Sequence, residues 1–200
     1  MRKIFDMDNP LMQILAVAAD LLVLNLLTIL CSLPILTAGA ALAALCDQTA
    51  LRVRGEDPGL LKSYFRSFAA YWKKGTLLWL LLLAAAGLLY FDYLAALVYA
   101  PLLRYPVAAI AVLVMATAKY AFPLLTRFDG RLFPGIKNAA VMMVAYFPRT
   151  LGMVVFAVVF WMLAIRYYQY GVPLLLLFGL SLPCYVNALL LRRVFDQMEN

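Results

Sequence analysis

Five side chains that could do chemistry stand inside otherwise apolar stretches. They are Asp20 and Asn25 in "LMQILAVAADLLVLNLLTILCSL" (11–33), Asp47 in "LPILTAGAALAALCDQTALRVRGE" (33–56), Lys119 and Asn187. A carboxylate near the middle of a membrane-length helix costs about 2.5–3.5 kcal/mol on insertion scales, so Asp20 must face protein or water and have a partner. Lys119 suits that role best, since its flexible arm can bridge a difference in depth. Asp47 is expected at a depth similar to Lys119 and competes for it. Two chemistries fit the set: a path for an ion, proton or polar solute, or a structural clamp worth about 1 kcal/mol per interhelical hydrogen bond.

Other chemistry is thinly represented. The chain has no histidine, the commonest general base and metal ligand. Cys31, Cys46 and Cys184 lack metal-type spacing and read as small buried hydrophobes. There is no phosphate loop, no H-E-x-x-H and no G-x-S-x-G elbow. An acid-base enzyme built on Asp20 and Asp47 has no supporting motif. The expectation is a protein that is not an enzyme and carries no metal and no cofactor.

The elements that must hold these residues are membrane helices. Hydrophobic residues make up 66% of 200 residues, against about 45–50% in soluble domains. An all-α, polytopic membrane protein follows, with residues 1–200 as a single integral membrane domain. Crossing ~30 Å of hydrocarbon takes about 20 helical residues, and the apolar runs read as six spans. They cover 11–33, about 34–53, 75–93, 107–125, 151–165 and 172–191. Pro34 opens the short second span and Arg52 and Arg54 pin its end. The first run is too long for a signal peptide's apolar region of about 7–15 residues, so cleavage after Ala38-Gly39-Ala40 is not expected.

Two amphipathic elbows are expected between spans. In "LLKSYFRSFAAYWKK" (60–74), after an "EDPG" turn, Leu61, Tyr64, Phe65, Phe68 and Trp72 recur at helical spacing while Lys62, Arg66 and Lys73 take another face. That pattern fits a helix lying in the membrane interface. Arg66, Trp72, Lys73 and Lys74 would form a basic-aromatic shelf for anionic lipid headgroups or a cytoplasmic partner. The second elbow falls within "TRFDGRLFPGIKNAAVMMVAYFPRT" (126–150). At the other face, tyrosines such as Tyr90, Tyr93, Tyr105 and Tyr167 read as an anchoring belt, with Asp92 near Arg104 or Arg166.

With six crossings, fourteen of the seventeen lysines and arginines share one side, leaving Arg104, Arg166 and Lys119. The positive-inside rule then places both termini in the cytoplasm. It also accounts for the net charge of +7 without nucleic acid. A re-entrant second segment would move only Arg2 and Lys3. A shift of 75 residues lays Arg52 on Arg127, Gly55 on Gly130, Lys62 on Lys137 and Ala70-Tyr71 on Ala145-Tyr146. This suggests parallel repeat units at about 34–99 and 109–174, although apolar helices align with almost anything.

"DLLVLNLLTILCSLPILTAGAALAAL", "LRVRGED", "YFRSFAAYWKKGTLLWLLLL" and "LLYFD" together resemble the YesL family of bacterial integral membrane proteins, most densely over residues 20–92; "FPRTL" (147–151) adds to this. The resemblance implies an accessory membrane protein of carbohydrate uptake or utilisation. Its partners would be the lipid bilayer and subunits of an ABC-type sugar transporter. The rival expectation is a small transporter or channel with a polar site around Asp20 and Lys119. A cavity reaching Asp20 would favour the rival. Exposed basic and aromatic surface on the elbows would favour the accessory role.

Overall fold

The computed structural model describes residues 10–56, 59–99, 101–128, 132–167, 173 and 175–199. Arg2, Lys3, the Asp57-Pro58 start signal and Gly130 of the repeat lie outside them. The main helices are α1 (Pro10–Cys31), α2 (Ala38–Arg54), α3 (Leu60–Tyr99), α4 (Arg104–Phe128), α5 (Leu132–Ala145), α6 (Phe147–Arg166) and α7 (Ser181–Glu199). No strand occurs among the described residues. Among the described residues three helical stretches are long and apolar enough to cross a membrane: Ile14–Cys31, Leu60–Tyr99 and Arg104–Arg127. The count becomes four if the bent pair Pro134–Ala145 and Phe147–Leu163 is one span. Six is not reached.

The centre of the bundle is α2, which packs against α1, α3, α4 and α7. Its alanines explain the position. Ala40, Ala41, Ala43, Ala44 and Leu45 are fully buried, and small side chains let helix backbones approach closely. The approach is tightest where Gly39 meets Gly75 of α3. A Cβ on Gly75 would lie 2.8 Å from the Gly39 carbonyl oxygen, and one on Gly39 would run into the Gly75 carbonyl and Trp79. At its other end α2 stops at Gly55, whose φ of 80° closes the helix with amide bonds back to Arg52 and Leu51.

The pairing of α2 with α3 has a register the apolar pattern does not reveal. Gly39 faces Gly75, and Gln48 donates to Ser63 and Ser67, so α2 runs antiparallel to residues 60–76. The expected elbow 60–74 is therefore not a separate interfacial helix. It is the first part of an unbroken 40-residue α3, about 60 Å long at 1.5 Å per residue. No proline interrupts that stretch, and Gly75 stays helical because it is packed on Gly39. As a result most of α2 lies beside the basic-aromatic half of α3, and only its N-terminal end meets the start of the apolar run, at Gly75 and Trp79. The second elbow does form: α5 and α6 bend by 97° at Tyr146.

The expected last span, 172–191, is also broken. Residues 175–178 are helical, Gly179 and Leu180 turn, and α7 starts afresh at Ser181. It then runs parallel to α2, with Cys184 beside Cys46 and Arg192 donating to the Val53 carbonyl at 3.0 Å.

Candidate functional site

The five intramembrane candidates do not converge on one path. Asp20 is ion-paired with Arg52 at 2.7 Å, and both side chains are about four-fifths covered. Lys119 is not its partner. The physical reason is the α1–α2 hairpin, which brings the start of α1's apolar run to the end of α2. Asp47 accepts a hydrogen bond from Ser67 at 2.6 Å, so it too is held by a neighbouring helix and not by Lys119.

Asn25 is fully buried and does work that its residue type alone did not disclose. Its Oδ1 accepts from the Leu180 and Ser181 amides at 2.8 and 3.1 Å, while Nδ2 donates to the Leu176 carbonyl at 2.7 Å. One side chain thereby satisfies both ends of the break before α7. Helix ends leave unpaired backbone groups, and non-helical backbone among apolar helices persists only where such groups find partners. Sequence offered only a weak signal, a glycine at 179 and a proline at 183 within an apolar run.

Lys119 and Asn187 do come together, as part of the lining of a cavity of about 690 Å³. Its walls come from the apolar half of α3, from α4, from the start of α7 and from the side of α2 carrying Leu42, Leu45 and Cys46. Tyr90, Tyr93 and Val107 line it near the α3–α4 connection; Lys119, Asn187, Cys46 and Cys184 line its opposite end. The break itself borders it through Gly179, Leu180 and Pro183. A second, smaller cavity of about 150 Å³ is lined by Asp47, Arg54, Arg127 and Arg192. Cys46, Pro123 and Cys184 line both, so the two cavities stand back to back across this layer. The Cys46 and Cys184 sulfurs are 3.1 Å apart and both thiols are free.

The basic-aromatic half of α3 is turned opposite to a soluble helix. Its polar residues Ser63 and Ser67, with Tyr64, are buried against the bundle. Leu61, Phe65 and Trp72 are exposed, as are Lys62, Arg66 and Lys73, while Lys74 is half-buried. Phe68 packs edge-on against Trp72 with ring centres 5.4 Å apart. At the other end of α3, Asp92 is exposed and Arg104 lies over the Tyr105 ring, donating to its hydroxyl. Among the described residues no three carboxylates or thiols converge as metal ligands would.

Residues 21–93 match the family described as "Protein of unknown function, DUF624". The match covers α2, most of α3 and residues 21–31 of α1, and stops just short of Asp20. No curated protein and no solved structure matches the chain.

Proposed function

We propose that this chain is a non-enzymatic accessory protein of the membrane, serving carbohydrate uptake or utilisation, with its termini and the basic half of α3 on the cytoplasmic side. One observation carries the reading. The apolar stripe Leu61–Phe65–Trp72 and the basic stripe Lys62–Arg66–Lys73 lie side by side, exposed, on a helix whose opposite side is fastened to α2 through Ser63 and Ser67. Exposed aromatic and basic residues on a preorganised surface suit a docking interface. The resemblance to the YesL family supplies the partner class, the subunits of an ABC-type sugar transporter, and the charge asymmetry supplies the orientation. A photo-crosslinking residue in place of Phe65, activated in native membranes, tests it. Adducts with the transporter's membrane or nucleotide-binding subunits support the role; adducts with lipid alone defeat it.

A second reading, a small transporter, is favoured by the two cavities that meet at Cys46, Pro123 and Cys184. In that reading Asp20 and Asn25 are structural, and the path runs from the Arg54–Arg127–Arg192 end to the Lys119–Asn187 cavity. Oxidation with copper phenanthroline should join Cys46 to Cys184, so that only Cys31 still takes an alkylating reagent. Solute flux that survives this cross-link in proteoliposomes would sink the transport path.

A further inference from the structure

We infer that the larger cavity is a binding site for an anionic single-chain amphiphile of the fatty-acid type. The site depends on neither reading above. Three features of the cavity set the ligand's chemistry.

The first is charge. Lys119 brings the only cationic side chain among the described lining residues, no aspartate or glutamate accompanies it, and no described carboxylate lies within ion-pair distance. A lysine ammonium has three donors and no acceptor. Set in an apolar wall, it calls for an anion. The second is the broken helix. The first turn of α7 borders the cavity, and a helix N-terminus carries the positive end of its dipole. Discontinuous helices in membrane proteins turn such ends toward anionic groups. Asn25 takes the Leu180 and Ser181 amides, so the helix adds only its dipole, and the donors this end of the cavity offers a carboxylate are the Lys119 ammonium and the buried Asn187 amide.

The third is the shape of the remainder. From Lys119 the cavity extends along α4 to Val107, twelve residues or about 18 Å at 1.5 Å per residue. That length is walled mostly by leucine, valine, alanine and aromatic side chains, which suits an acyl chain; beyond the Lys119 end its polar side-chain groups are limited to the Trp79 and Trp161 indoles and the Tyr90 and Tyr93 hydroxyls, few for a sugar. The volume lies within the range of about 300–1,000 Å³ usual for small-molecule sites.

Trp79 and Trp161 line the cavity and Trp72 does not, so fluorescence reports occupancy once Trp72→Phe removes the third indole. The purified full chain in a neutral detergent would be titrated with a brominated fatty acid and, separately, with its methyl ester. The inference expects saturable quenching by the acid and at least tenfold weaker binding of the ester. Lys119→Met should weaken the acid at least tenfold and leave the ester unchanged, while Lys119→Arg stays within about threefold. Equal quenching by acid and ester in the Trp72→Phe protein overturns it, as does unaltered acid binding in Lys119→Met. The acid–ester comparison decides the matter even if Lys119→Met does not fold.

Discussion

The two stretches that the 75-residue offset lays over one another, α2–α3 and α4–α6, take different shapes. In the first, α3 continues unbroken through residues 71–76; in the second, the chain turns by 97° at Tyr146. The offset places Lys73 opposite Pro148 and Gly75 opposite Thr150. Proline has no amide hydrogen and its ring crowds the preceding turn, so Pro148 starts α6 and cannot continue α5. Thr150 then holds the bend: its hydroxyl donates to the Met143 carbonyl, which the bend has deprived of a helical partner, and Tyr120 donates to Thr150 at 2.7 Å. In the first stretch the equivalent position is a glycine pressed on Gly39. One is locked by backbone contact, the other by hydroxyl hydrogen bonds. The lesson is that two segments with matching basic turns and apolar runs can diverge through two residues.

The contrast can be broken from either side. Gly39→Leu should have the largest effect, because the added side chain has only backbone and Trp79 to displace. A loss above about 3 kcal/mol is expected, beyond ordinary overpacking, seen as loss of a monodisperse species on size exclusion. Lys73→Pro should come next, at about 3 kcal/mol, by placing in α3 the residue that bends the second stretch. Spin labels at Leu61 and Leu88, both exposed, are about 40 Å apart across 27 helical residues. The variant should shorten that distance in a pulsed electron resonance measurement, and an unchanged distance would show that Pro148 is not the cause of the bend. Asp20→Asn should cost somewhat less, about 2 kcal/mol, below the roughly 3–5 kcal/mol of a fully buried ion pair that loses one partner, because both side chains here are about one-fifth exposed. Thermal unfolding in detergent would report it, and an Asp20→Arg, Arg52→Asp exchange should recover part of the loss. Tyr120→Phe is the mildest, about 1 kcal/mol for one hydrogen bond. It should lower the midpoint of unfolding while leaving α3 distances untouched.

Much of the architecture was legible in the sequence. The helical class follows from apolar content and run length. The second elbow was visible in its basic turn and proline, and the end of α2 in Arg52, Arg54 and Gly55. The first elbow was misjudged because an amphipathic pattern gives the sides of a helix but not whether the next span continues its axis. The candidate site was legible only in part. The five polar residues stand out by type, but Asp20, Asn25 and Asp47 each have a separate structural partner, and of the five Lys119 and Asn187 alone share the larger cavity.

Residue types and their order thus determined that the chain is helical and apolar enough for a membrane, where its basic turns fall, and which polar groups must be satisfied. Only the tertiary structure decided who satisfies them. Pairings such as Asn25 with the Leu180 and Ser181 amides join residues about 155 positions apart, and helical periodicity contains nothing about such distances. The register of α2 on α3 is likewise set by a glycine–glycine contact whose strength lies in the absence of side chains, which leaves no hydrophobic signal to read.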